Sequence, residues 1–343
     1  MEIAVVILNW NGKKMLERYL PSVISTVAAF NSNNEERHTS LIVADNASSD
    51  GSLEYLAQRW PDLRTIRLDE NYGFAEGYNR ALEQIEADYF ILLNSDIHTP
   101  DGWLEPLIDF MESHPDAGIC QPKVLSDAER NRFEYAGACG GFIDRFGFPF
   151  CRGRILSNTE IDEGQYDEEM EVFWATGACM VIRPALFRHL GGFDPSFFAH
   201  MEEIDLCWRA KLLGYQVWCV PSSRIHHLGG GTLPNNSPRK LFFNYRNNLL
   251  MLAKNLPESI RGKRVCLRLL IDDLSALAYL FTFKWSFFHA VVKAHRAYFR
   301  MRRNIEPSPF IMEYNNAGYY RGRIVLQFFL SGRKLTFGKL KFR

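Results

Sequence analysis

The sequence has no run of about 18 apolar residues, so no membrane-spanning helix is predicted. It has no Cys-x-x-Cys pair, and its seven cysteines are an odd number. Cys120, Cys179 and Cys219 lie in apolar surroundings and read as reduced core thiols of a cytoplasmic protein. No basic region precedes the apolar stretch 3–8, which runs at once into Asn9-Trp10-Asn11-Gly12, so no secretory signal is expected. No Gly-x-Gly-x-x-Gly follows that stretch, which disfavours a dinucleotide-dependent oxidoreductase. A Gly-rich loop carrying Lys or Arg is missing there too, which speaks against a nucleotidyltransferase. Internal repeats and low-complexity tracts are also absent.

Net charge is lacking only on average. Residues 239–343 hold 21 Lys and Arg against 5 Asp and Glu, a balance of +16, while residues 1–238 carry −16. Such a split suggests a tail that meets an anionic surface, and a body unlike a nucleic-acid binder. In the tail, apolar and aromatic residues over 274–292 are followed by Lys293, Arg296, Arg300, Arg302 and Arg303. This pattern fits helices lying on a membrane surface, or a helical subdomain packed on the body.

What is present in the first half is alternation. Short apolar strands over 3–8, 41–44, 65–68, 89–93 and 117–121 are separated by amphipathic helical stretches, which predicts a parallel sheet covered on both faces. Residues 123–172 are less regular, and 178–182 and 216–220 return as strands, with His226-His227 in a following loop. The fourth strand runs through Leu92-Leu93 into Asn94-Ser95-Asp96. Ligands bind at the carboxyl edge of such sheets, and a hard cation takes carboxylate oxygen while leaving positions for phosphate. The plain alternative is an Asp that caps the next helix. The loop Asp45-Asn46-Ala47-Ser48-Ser49-Asp50-Gly51 ends the second strand in the same way.

These segments come in a distinctive order: 5–12, 43–52, Asn71-Tyr72-Gly73-Phe74-Ala75 with Gly77 and Asn79, 92–96, Thr176-Gly177-Ala178-Cys179, Gly191-Gly192-Phe193-Asp194, 201–209 and 227–232. Together they resemble glycosyltransferase family 2, the inverting GT-A transferases, near its rhamnosyltransferase-like branch. The resemblance implies a Rossmann-like α/β sheet with helices on both faces over 1–238. About 1–122 would be the nucleotide-binding half and 123–238 the acceptor and metal half, with a basic, aromatic, mainly helical extension over 239–343.

It also implies roles. Asp45 would accept from the ring N–H of uracil or thymine, framed by Asn9 and Asn11. Asn71, Gly73 and Asn79 would approach the donor through a close backbone and a helix N-terminus. Asp96 and His227 would hold Mn²⁺ or Mg²⁺, with His226 as the alternative histidine. Asn94 stands where the family's first Asp would be, which leaves it to ribose or water beside Ser95. Glu202-Glu203-x-Asp205 stands where the family has Glu-Asp-x-Asp. Glu203 or Glu202 would then be the general base, and Asp205 would orient the pair or bind acceptor; acids favoured by a helix dipole are the alternative. Trp174, Thr176 and Gly177 would shape the sugar and acceptor side, or simply pack. The activity so implied is transfer of a sugar, rhamnose by branch resemblance, from a UDP- or dTDP-sugar to a lipid-linked glycan at the cytoplasmic face of the membrane. A sugar-nucleotide-binding surface protein without activity is the non-enzymatic alternative.

Overall fold

The computed structural model describes residues 1–229, 237–308 and 317–342. The chain begins β1 (Glu2–Asn9), α1 (Lys13–Asn33), β2 (His38–Asp45), α2 (Ser52–Arg59), β3 (Arg64–Arg67), α3 (Gly73–Leu82) and β4 (Tyr89–Asn94). It continues β5 (Ile97–His98), α4 (Glu105–Ser113), β6 (Ala117–Ser126), β7 (Gly141–Asp144), β8 (Pro149–Cys151), β9 (Arg154–Ile155), β10 (Asn158–Thr159) and β11 (Met170–Glu171). Then come β12 (Cys179–Ile182), α5 (Pro184–His189), α6 (Glu202–Leu212) and β13 (Gln216–His227). The last part holds α7 (Pro238–Asn255), α8 (Glu258–Phe281), α9 (Trp285–Met301), β14 (Tyr319–Tyr320) and α10 (Ile324–Leu330).

Alternate residues of β1 enter two different cores. Ile3, Val5 and Ile7 pack with Leu16, Leu20 and Val23 of α1, whereas Ala4 and Val6 join Ala75, Tyr78 and Leu82 of α3. This is the pattern of a central strand covered on both faces. Burying each such Val, Ile or Leu contributes roughly 1.5–3 kcal/mol. The main sheet runs β11-β13-β6-β12-β4-β1-β2-β3, with β5 paired to β13. The strands β3, β2, β1 and β4 are parallel, as the alternation predicts.

The second half of the sheet departs from that expectation. β12 inserts between β4 and β6 and runs antiparallel to both, so the sheet is mixed. All four residues of β12 are apolar and buried, which suits a slot between two buried strands. β13 does not stop at Val220 but continues to His227, across a register shift between Val220 and Arg224 that absorbs Pro221. His226 and His227 are therefore strand residues, paired with His98 and Ile97 of β5. The irregular segment before β11 builds a second sheet, β10-β9-β8-β7-β14, whose outer strand β14 comes from the C-terminal part of the chain.

Among the described residues, no helix is long and apolar enough to cross a membrane. Helices α7, α8 and α9 pack on one another beyond the sheet. Ser237 caps α7 by accepting from the Lys240 amide at 3.2 Å.

Candidate active site

The carboxyl ends of β1, β2 and β4 share one edge of the sheet, because Asn9 pairs with Asp45 and Leu8 with Asn94. At that edge Asn9 Nδ2 donates to Asp45 Oδ1 (2.9 Å) and to Ser48 Oγ (3.1 Å). The Ser48 amide donates to Asp45 Oδ2 (2.9 Å). Asn11, at φ 50°, accepts from the Ser49 amide at 2.7 Å. Asp45 and Asn9 are both buried, and Asn9 Oδ1 has no hydrogen-bond partner among the described residues.

Beside this edge lies a cleft of about 980 Å³ lined by Asn71, Gly73, Asn94, Ser95, Asp96, Trp174, Thr176, Gly177, Glu202, Glu203 and His227. Asn9, Asn11, Asp45, Asn79 and Asp205 stand outside that lining. The entry to α3 is not the free helix N-terminus that the sequence suggests. Phe74 and Ala75 donate their amides to the Phe198 carbonyl (2.7 and 3.3 Å), and the Gly73 amide donates to Asn71 Oδ1. Gly73, at φ 76°, is needed here because a Cβ would stand 2.6 Å from the Phe198 ring and carbonyl. Asn46 ties this loop together by accepting from the Tyr72 amide and donating to the Gly73 carbonyl. Asn79 likewise serves structure, exchanging two bonds with the Phe193 backbone.

Asp96 and His227 meet because β5 pairs antiparallel with the end of β13, and the Leu228 amide donates to the Asp96 carbonyl. His227 Nε2 lies 3.1 Å from Asp96 Oδ1. His226 points elsewhere, edge-on to the His98 ring at 5.8 Å. On its other side His227 Nδ1 lies 3.4 Å from Glu134 Oε2, an ion-pair distance without hydrogen-bond alignment. Burial alone would lower the imidazole pKa, but the charges of Asp96 and Glu134 outweigh it and push the value up to about 10. This donor set fits a divalent cation. Two cis ligands at about 2.1 Å from a metal stand about 3 Å apart, close to the Asp96–His227 separation. A carboxylate behind the far imidazole nitrogen is the usual way to orient a ligating histidine. Among the described residues no group of three ligating side chains converges, so further positions would fall to ligand oxygens. Gly230, Gly231 and Thr232 of the motif lie outside the described residues.

In the lining of the same cleft, Glu202 and Glu203 open α6. A loop of unusual backbone precedes them, with Phe198, His200 and Met201 at φ 63°, 68° and 75°. Asn247 of α7 holds that loop by donating to the carbonyls of Phe197, Ala199 and His200. Burial pushes the Glu203 carboxyl up to about 7. Glu202 is raised well above its usual range by burial and by the neighbouring Glu203 charge. Each has one buried carboxylate oxygen without a hydrogen-bond partner among the described residues. Gly177 faces Glu203 closely, its position for a Cβ being 3.8 Å from the Glu203 Cβ.

Asp205 is not part of this face. It is fully buried and accepts from Arg209 Nε (2.8 Å), Lys254 Nζ (3.1 Å) and Asn255 Nδ2 (2.7 Å), so it ties α6 to α7. Trp174 lines the cleft while its Nε1 donates to the Phe142 carbonyl at 2.9 Å. Thr176 Oγ1 donates to the Ala136 carbonyl and accepts from the Ala178 amide. Glu134, His200, Arg154 and Lys240 also line the cleft, and none was singled out from the sequence.

A Rossmann-like mixed sheet, a carboxylate–imidazole pair at its ligand edge and an acidic helix start in the same cleft define a nucleotide-sugar transferase of GT-A type. The chain belongs to glycosyl transferase family 2, whose model matches residues 4–191. It is 26% identical over 267 residues to the N-acetylglucosaminyl-diphospho-decaprenol L-rhamnosyltransferase of Mycobacterium tuberculosis, covering 73% of this chain and 84% of that protein. It is 27% identical over 206 residues to rhamnosyltransferase WbbL of Escherichia coli, covering 57% and 75%. Its fold is similar to that of GalNAc-T7 solved with UDP, GalNAc and Mn²⁺, with TM-score 0.53 and 17% identity over 74% of this chain and 47% of that one. The mannosyltransferase PcManGT of Pyrobaculum calidifontis, with GDP-Man and Mn²⁺, gives TM-score 0.51 and 13% identity over 87% and 86%. The chain is thus a family 2 glycosyltransferase.

Proposed function

We propose that this glycosyltransferase moves rhamnose, or a sugar like it, from a dTDP- or UDP-sugar to a hydroxyl of a lipid-linked glycan, with inversion at the anomeric carbon. The relatives named as rhamnosyltransferases support the sugar, and the mycobacterial one supports a lipid-diphosphate acceptor. The observation that carries the reading is the presence of two half-sites in the lining of one cleft. Asp96 and His227 line it as a pair, and Glu202 and Glu203 line it with one buried carboxylate oxygen each that has no hydrogen-bond partner among the described residues.

In this reading Asp45 and Asn9 bind the base, and the carboxylate of Glu203 takes the proton from the acceptor hydroxyl as it attacks. Glu203 is the better base because burial raises its carboxyl to about 7, near neutral pH, whereas Glu202 is raised well above the usual carboxyl range by burial and by the Glu203 charge. A divalent cation held by Asp96 and His227 would supply Lewis-acid stabilisation to the departing diphosphate. Glu134, 3.4 Å from His227 Nδ1, stands behind the imidazole where a carboxylate would orient a ligating histidine.

We also place the protein at a membrane surface. Phe281, Phe283, Trp285 and Leu330 are 77%, 78%, 53% and 78% exposed, and they lie next to cleft-lining Lys284, Phe329 and Arg333. An apolar surface rimmed by cations suits anionic headgroups.

The test of function is transfer from a panel of dTDP- and UDP-sugars to N-acetylglucosaminyl diphosphate bearing an octyl chain, with the product anomer read by NMR. Transfer with inversion from one thymidine or uridine donor supports the reading. Retention, or no transfer from any of them by folded protein, contradicts it.

A further inference from the structure

Arg154 is a buried cation without an anion. Only 7% of it is exposed, yet it lines the cleft. Its guanidinium lies 4.4 Å from the Tyr135 ring centroid, and Nη2 reaches Cys151 Sγ at 3.5 Å. Nε has no hydrogen-bond partner, and no carboxylate stands within ion-pair distance among the described residues. The nearest acid to influence it, Glu134, already directs Oε2 at His227 and the Ala136 amide. Arginine does not shed its proton to relieve burial, and burying an unpaired charge is costly. A second cation makes the arrangement more demanding. Lys240, in the first turn of α7, lines the same cleft, where burial and the positive charge of Arg154 work against its charge and the carboxylates of Glu134 and Glu203 favour it.

We infer that Arg154 and Lys240 form an anion subsite for a phosphate or diphosphate group on the acceptor, next to the general base. The donor's own diphosphate is already served by Asp96, His227 and the cation they would hold. An acceptor hydroxyl at Glu203 places the rest of the acceptor toward Lys240 and Arg154, so a sugar 1-diphosphate spans the two. This inference rests on the acceptor reading above and names the group that would be recognised.

Calorimetry on the full chain tests it, with Mn²⁺ and saturating dTDP or UDP present so that the donor site is filled. The probe is octyl diphosphate, with monomeric dioctanoyl phosphatidylglycerol as the headgroup arm. Octyl diphosphate is expected to bind, phosphatidylglycerol to bind at least tenfold more weakly, and Arg154→Met to weaken octyl diphosphate at least tenfold. In the same variant the nucleoside diphosphate affinity should stay within twofold, and the melting temperature should not fall, because a buried unpaired charge has been removed. Unchanged octyl diphosphate binding, an equal loss of nucleoside diphosphate affinity, or a lower melting temperature with ligand binding intact would each overturn the subsite. Equal binding of phosphatidylglycerol would overturn it in favour of a headgroup site. If Arg154→Met does not fold, Lys240→Met is read for its octyl diphosphate and nucleoside diphosphate affinities alone. Failure of nucleoside diphosphate to bind at all would count against the transferase reading, which is a separate result.

Discussion

In the proposed reaction, Glu203 is the residue on which the chemistry turns. It is one methylene longer than the Asp at this place in the resembling family, and Gly177 leaves room for it. Burial raises its carboxyl to about 7. A base acts when deprotonated, so kcat/KM should rise with pH and level off above about 7. Glu203→Gln should lower kcat by roughly 10²–10⁴-fold and remove that pH dependence, whereas Glu202→Gln should leave the dependence in place, since burial raises the Glu203 carboxyl. A pH–rate series on the three proteins checks this, and an unchanged profile in Glu203→Gln would move the base elsewhere. At this scale much was legible beforehand. Asp96 and Asp45 follow apolar strands directly, so strand-edge logic places both at the carboxyl edge of the sheet, where Asp45 is buried beside Asn9 and Asp96 lines the cleft. Glu134 and Arg154 were not legible, because they sit in an irregular segment with no period, and only sequence-distant strand pairing brings them to the cleft. Asp205 was misplaced because helix spacing says which face a residue shares but not which neighbour will bury it.

The loop at 197–201 and helix α7 form the element that sets the base in place. Three non-glycine residues hold positive φ there, a conformation that persists only when its surroundings fix it. Asn247 supplies three of the restraints, and Arg246 adds two more on the Ser196 and Phe197 carbonyls. Phe198 stacks on Phe243 of the same helix at 5.6 Å. Asn247→Ala should therefore cost about 1–3 kcal/mol from the carbonyls left unsatisfied. It should also lower kcat about tenfold, since α6 begins where the loop ends. Chemical denaturation together with kinetics checks both, and a stability loss with kcat intact would show the loop to be structural only. The sequence marks a change of composition at 238, but it gave no sign that the first helix beyond it grips the base-bearing loop. Strand order was hidden for the same reason. β12 is an unbroken apolar run, and nothing local says that it enters antiparallel between β4 and β6.

The whole molecule separates its charges. Both parts line the cleft, with Asp96, Glu203 and His227 from the acidic body and Lys240, Lys284 and Arg333 from the basic part, which also carries exposed Phe283, Trp285 and Leu330. Phe283→Ser with Trp285→Ser should weaken binding to vesicles containing anionic lipid by at least fivefold, while donor affinity stays the same. Co-sedimentation at two salt concentrations checks this. Binding that ignores both the substitutions and the salt would place membrane contact elsewhere or nowhere. The charge asymmetry and the aromatic tail were legible in composition; their closeness to the cleft was not, because it depends on α8, α9 and α10 folding back over residues more than a hundred positions earlier.

The measurement that tests the central claim most directly is calorimetric binding of dTDP and UDP, with and without Mn²⁺, to wild type and Asp96→Ala. The account predicts metal-dependent binding of one of them, weakened at least tenfold by removing either the metal or the Asp96 carboxylate. Absence of nucleotide binding to well-folded protein, or binding indifferent to both, would contradict it.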